Sequence, residues 1–226
     1  MAVAARTRSK RSTRENRRTA ILEAAAQVFF EQGYAATSID AIIERIGGSK
    51  RTIYNEFGSK EGIFTALVTE NADAAVAALS VERFAARNLS EVLLEFGRRL
   101  LAIYMSPAVI GIYRSIMTEA PRFPKLAKAF YDKGPGRASD RLADVLEDAK
   151  ARGEIQIGDC HLAADHFVGM LRDNLHLRVI LGLRPPPSAA EAEAAVASTV
   201  NIFLYGIHGA KLPQRSKRGA QSGAMS

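Results

Sequence analysis

Residues Ser38 to Glu61 read SIDAIIERIGGSKRTIYNEFGSKE, and the fold turns on them. Ile39, Ile42, Ile43 and Ile46 recur at the spacing of one buried helical face. Gly47-Gly48 stops that helix, because glycine takes the left-handed conformation that a sharp exit needs. Ser49 restarts the chain as an N-cap, with its hydroxyl placed to accept from the amide of Arg51 or Thr52. Ile53 and Phe57 lie about one turn apart and pack inward on the first helix. The opposite face carries Arg51, Thr52, Tyr54 and Asn55, side chains of the kind that read base edges and phosphates in a major groove. Arginine pairs bidentately with guanine and asparagine with adenine, while Tyr54 suits a phosphate. The stretch is a helix-turn-helix.

Working outward, a preceding helix is expected from about Glu15 to Gln32, with Ile21, Ala25, Val28 and Phe29 inward and Gly33 at its end. Thr37 and Ser38 offer hydroxyls just ahead of the second helix, as caps or as phosphate ligands. After the recognition helix, Ser59 caps a long helix running to roughly Ser80, with Lys60 in its first turn. A lysine there opposes the helix dipole. A phosphate at that end would reverse the cost, so Lys60 is expected to contact one.

From Arg17 to Phe64 the chain resembles the DNA-binding domain of TetR-type transcriptional regulators, on the residues TAILEAAAQVFFEQGYAATSIDAIIERIGGSKRTIYNEFGSKEGIF. Gly33-Tyr34, Thr37-Ser38, Gly47, Ser49-Lys50, Thr52-Ile53-Tyr54, Phe57 and Ser59-Lys60-Glu61 fall where that pattern places them. The resemblance implies that Ser49, Lys50, Arg51, Thr52, Tyr54 and Asn55 form the DNA-reading face, and that Thr37 also touches the backbone. Gly48 departs from the pattern, which has an apolar residue there. A missing core contact and a looser turn are the expectation.

The chain has 226 residues, ample for a core, and is rich in alanine, with no clean alternation of β-branched residues over a strand's length. An all-α fold of about nine or ten helices follows. The net charge of +7 is concentrated at the ends. Residues 1–18 carry Arg6, Arg8, Lys10, Arg11, Arg14, Arg17 and Arg18 against Glu15 alone. Residues 211–226 carry Lys211, Arg215, Lys217 and Arg218 with no acid. The span between them is net acidic. This division suits a folded regulator with basic arms rather than a protein coated in cationic charge. The expected organisation is a basic flexible arm (1–14), a DNA-binding domain (15–62), a helical ligand-binding and dimerisation domain (63–210) and a basic flexible tail (211–226).

Cys160 is the single cysteine, which suits a reducing cytoplasm, and no apolar run reaches the length of a membrane span. His161 and His166 lie five apart, on different helical faces, so no metal site is expected. Neither a glycine-rich phosphate loop nor a nucleophile motif appears. No cofactor and no enzymatic activity are expected.

Beyond a weak joint at 81–87, helices are expected at 89–104, from Pro107 to Glu119, at 125–133, and from the Gly134-Pro135-Gly136 break to Arg152. Two long apolar helices follow, at about 160–182 and 188–207, joined by a proline-rich hairpin. From about Phe96 to Gly182 the chain is similar to the C-terminal domain of the AefR-like branch of the same regulators, on YRSIMTEAPRFPKLAKAFYDKGPGRASDRLADVL and HFVGMLRDNLHLRVILG. The resemblance implies a homodimer in which the last two helices pair with their copies, and their apolar content agrees. Phe96, Tyr104, Tyr113, Met117, Phe130, Phe167, Met170, Leu171 and Asn174 are candidates to line an effector cavity, aromatic and methionine side chains with a little polarity. Arg172, Asp173 and His176 could meet polar ligand atoms or pair across a dimer. The expected function is a repressor released from a palindromic double-stranded DNA operator by a small hydrophobic or amphipathic molecule. The alternatives are a regulator without small-molecule control, either an activator or protein-gated, and a helical protein-interaction module.

Overall fold

Short polar residues set most of the helix starts. Ser38, Ser49, Ser59, Asn88, Ser106, Asp159 and Ser188 each accept from an amide two or three residues into the following helix. Pro124 and Pro135 start two others from the first helical turn, where the missing N–H costs nothing. The computed structural model describes residues 2–79 and 88–206, with backbone only for 2–14. The joint expected at 81–87 and the basic tail at 211–226 fall outside the described residues.

The described residues form ten helices and no strand. They are α1 (Ala2–Gln32), α2 (Ile39–Ile46), α3 (Lys50–Phe57), α4 (Lys60–Ala78), α5 (Leu89–Tyr104), α6 (Pro107–Glu119), α7 (Pro124–Lys133), α8 (Pro135–Ala151), α9 (Cys160–Ile180) and α10 (Ala189–Tyr205). The all-α expectation holds. Helix α1 continues back to Ala2, through the stretch expected as a flexible arm. Alanine, arginine and lysine are good helix formers, and nothing between Ala2 and Glu15 breaks the helix.

Two apolar clusters divide the chain. The first gathers Ile21, Val28 and Phe29 of α1, Ile42, Ile53, and Ile63, Phe64 and Leu67 of α4. It also takes in Ile112 and Ile116 of α6 and Leu126 of α7, so the core of the DNA-binding head runs into the body. The second gathers α5, α8, α9 and α10 around Phe96, Leu142, Phe167 and Val196. Helix α4 begins in the first, and its C-cap, Leu79, belongs to the second. Its first turns bury Ile63, Phe64, Leu67 and Val68 in the head, and its later turns bury Ala72 and Val76.

The glycine turn overturns one expectation. Gly47 and Gly48 have φ of 70° and 111°, and a β-carbon on Gly48 would meet open space. No core contact is missing there. Two successive positive-φ residues turn the chain between α2 and α3, a conformation that a β-branched residue strongly disfavours.

Candidate DNA interface and effector cavity

Helix α3 is held from behind and open in front. Ile53 is buried, and Ser49 caps the helix by accepting from Thr52 N at 3.3 Å. The Ser49 and Thr52 hydroxyls lie 3.1 Å apart. Arg51, Tyr54 and Asn55 project into solvent, with Tyr54 49% exposed. Among the described residues Arg51 has no side-chain partner, so its guanidinium is available. Lys50 is also exposed but pairs with Asp40 at 2.9 Å, which raises its pKa. The structure thus brings Ser49, Lys50, Arg51, Thr52, Tyr54 and Asn55 together at one surface, with Ser38 nearby as the cap of α2.

Two of the expected contact residues make bonds within the protein. Thr37 is 3% exposed, and its hydroxyl donates to the Gly33 carbonyl at 2.8 Å. The hydroxyl closes the turn after α1. Lys60 turns its ammonium onto the carbonyls of Tyr34, Ala35 and Thr37, at 2.7, 3.1 and 2.8 Å. An ammonium has only three N–H donors, so none is left for a phosphate. The α1 end supplies free carbonyls and negative dipole, which offset the placement of a lysine at the start of α4. Its charge also stands 4.6 Å from the Tyr34 ring centroid, and burial lowers its pKa.

The head is tied to the body through the same turn. Glu119, the last residue of α6, is 5% exposed and accepts from Ala35 N at 3.0 Å. Arg18 bridges Glu70 at 2.8 Å and Glu56 at 3.4 Å, and lies over the Phe57 ring. It thereby joins α1, α3 and α4. Nothing in the spacing of the sequence signals the Glu119 contact, because its partner is a main-chain amide 84 residues away.

In the body, α4 to α8 enclose a cavity of about 50 Å³. Tyr104, Tyr113 and Phe130 line it, as the sequence suggested. Much of its wall is α4 and its C-cap: Val68, Ala72, Ala75, Val76 and Leu79, small or aliphatic residues that carry no ligand signature in sequence, with the polar Asn71 beside them. Phe96, Phe167 and Leu171 instead pack in the second core, away from this cavity. Met117 and Asn174 border an outer groove together with Arg172 and His176, and Met170 lines neither space. Helix α9 is broken at Asp173, whose backbone is non-helical, and Asp173 Oδ1 caps the continuation by accepting from Leu175 N at 2.6 Å.

A recognition helix standing clear of a buried three-helix head, joined by one helix to a larger helical body, defines a DNA-binding transcriptional regulator. The family model described as bacterial regulatory proteins, tetR family, matches residues 21–67, and the one described as AefR-like transcriptional repressor, C-terminal domain, matches residues 91–206. The chain belongs to the TetR family of regulators, with an AefR-like body, and is not an enzyme. Among solved structures it is similar to the flavonoid-responsive regulator FrrA, at 35% identity and a TM-score of 0.71, over 84% of this chain and 96% of that one. A TetR-family regulator of Mesorhizobium loti is 31% identical with a TM-score of 0.74, over the same shares. Among curated relatives, the regulator UidR of Escherichia coli K12 is 28% identical over 147 residues, 61% of this chain and 68% of the relative. No single described helix is long and apolar enough to cross a membrane.

Proposed function

We propose that this protein is a cytoplasmic homodimeric repressor that leaves a palindromic operator when a small hydrophobic or amphipathic molecule enters the body cavity. The observation that carries the reading is the double duty of α4, which walls the cavity with Val68, Ala72, Ala75 and Val76 and begins inside the head core. A cavity of about 50 Å³ is far below the roughly 300–1,000 Å³ of a drug-sized ligand site. An effector therefore enters only by displacing its walls, and α4 carries that displacement to the recognition helix. Two such helices would read successive major grooves about 34–36 Å apart, so a change in head separation lowers affinity. The ligand shifts the population only through its preference for the displaced form.

Dimerisation is supported by apolar surface on the last two helices. Leu162, Leu177, Ile202 and Tyr205 are between 40% and 53% exposed, and Leu181 beside them is 62% exposed. A pairing of α9 and α10 with their copies would cover such surface. The similarity to FrrA, a regulator named as flavonoid-responsive, supports small-molecule control.

The test is selection of genomic fragments by the purified protein at physiological salt, followed by sequencing. A single enriched palindrome is expected, and Arg51→Ala should weaken binding to it by about 1–3 kcal/mol, or roughly 5- to 150-fold, and relax preference at one base. Binding without an enriched motif would overturn the reading, since basic segments alone give salt-sensitive, sequence-blind association.

A further inference from the structure

Polar groups from α5, α6 and α9 meet between the cavity, which Tyr104 and Tyr113 line, and the outer groove, which Tyr113, Arg172 and His176 border. Arg172 Nη1 donates to the Tyr113 hydroxyl at 3.2 Å, and the guanidinium carbon lies 6.0 Å from the Tyr104 ring centroid. His176, one turn further along α9, packs at ring-centroid distances of 5.5 Å from Tyr104 and 5.0 Å from Tyr113. Tyr104 is 3% exposed and His176 6%. The Tyr104 hydroxyl, Arg172 Nε and His176 Nε2 are all buried without a hydrogen-bond partner. Native proteins satisfy nearly every such atom, so three orphans in one cluster call for an explanation.

The charge is equally unbalanced. Among the described residues no carboxylate forms an ion pair with Arg172. The adjacent Asp173 is exposed and directs Oδ1 to Leu175 N. A guanidinium in such a position normally has an anion beside it, because desolvation without pairing is unfavourable. Tyr104 and Tyr113 carry their rings on the cavity wall and touch His176 and Arg172 on the other side. The tyrosine rings therefore separate the apolar space from these donors, and a molecule that enters by parting them reaches Arg172 and His176 from the cavity side.

We propose that Arg172, Tyr104 and His176 form a head-group subsite, and that the effector is an organic anion: an apolar body carrying a carboxylate. The inference rests on the effector-release reading above and specifies its ligand. The planar fork of arginine matches a carboxylate in geometry as well as charge. Burial pushes the Tyr104 hydroxyl upward and keeps it a donor. Neutral His176 donates from Nε2 in one of its two tautomers. A neutral head group would satisfy the hydrogen bonds but leave the guanidinium uncompensated.

The test uses thermal melting of the full chain with octanoate and benzoate, and with 1-octanol and benzyl alcohol as uncharged counterparts, all at millimolar concentration. Wild type should melt about 2–4 °C higher with at least one carboxylate. Arg172→Met should melt above wild type when no probe is present, because a half-buried charge that forms no ion pair has gone. It should also lose the carboxylate shift and keep any alcohol shift. Tyr104→Phe, a nearly isosteric change, should fold normally and weaken carboxylate binding about tenfold. If carboxylates and alcohols shift wild type and Arg172→Met alike, the cavity binds ligand and the head-group assignment is wrong. If Arg172→Met melts below wild type, the arginine is structural and the proposal fails. If no probe shifts any form, the effector reading of the cavity fails with it.

Discussion

In the head, Lys60 commits all three of its donors to the carbonyls of one turn, whereas in the body Arg172, Tyr104 and His176 each leave a buried polar atom without a partner. The apolar packing differs in the same sense. Phe29, Tyr34, Phe64 and Phe123 meet at centroid distances of 5.0–5.4 Å in a cluster of tilted and edge-to-face contacts, while α4 to α8 leave a cavity between them. A surface that must match the spacing of a DNA groove is served by a turn with few alternatives. A body that must respond to a molecule needs space and unsatisfied groups that a ligand can complete. Glu119 lies on the seam between the two: Oε1 accepts from Ala35 in the head turn, and Oε2 is buried without a hydrogen bond, 4.0 Å from Arg122 Nη1.

The largest effect should come from breaking the satisfied side. Lys60→Met removes three charge-assisted hydrogen bonds and leaves the carbonyls of Tyr34, Ala35 and Thr37 without that donor. A loss of about 3 kcal/mol is expected, or roughly 6–12 °C in melting temperature for a chain of this size. Operator binding should fall with it, because the same turn holds the start of α2. A variant melting within about 2 °C of wild type would show that Lys60 is a surface charge, and the contrast between head and body would lapse.

On the unsatisfied side, His176 makes acid a sensitive probe. Burial holds its pKa down at about 4, with Arg172 adding to the effect and Asp173 opposing it; the faces of Tyr104 and Tyr113 complete its surroundings. The ordinary value is about 6.5, so the unfolded chain takes up a proton first as pH falls. The contribution is therefore complete above about pH 6.5 and is lost on the way down to about 4. Urea titrations should show wild type losing up to about 2 kcal/mol between pH 7.5 and pH 5, and His176→Gln losing less. Equal losses would mean that the imidazole is not held neutral, and the body would look as well satisfied as the head.

How much of this was legible in sequence follows the same division. The isoleucine spacing in α2 and the serines before α2, α3 and α4 state local structure directly, and those elements appear where the pattern puts them. Exposure of Arg51, Tyr54 and Asn55 follows from helical periodicity alone. The bonds of Lys60 were not legible, because the local dipole argument asks only for an anion and the carbonyls that accept from it lie more than twenty residues away in the chain. In the body, Tyr104, Tyr113 and Phe130 were found by residue type, yet Phe96 and Phe167 share that type and lie in the core. Which side of a buried helix faces empty space depends on the packing of five helices, and no period in the chain encodes it. The Ala72, Ala75 and Val76 wall is silent for that reason.

The smallest effect fills the space itself. Ala75 on α4 is half-buried and borders the cavity, so Ala75→Leu places apolar atoms where none now pack. If the space is unused room in the DNA-binding form, the variant should gain about 1 kcal/mol and melt about 2–4 °C higher. It should also bind the operator at least as tightly as wild type and lose the melting shift given by a cavity probe such as octanoate. Destabilisation instead would mean that the surrounding side chains cannot yield to three extra carbons. The body would then be packed as tightly as the head, and an effector would have to act on α4 from some other direction.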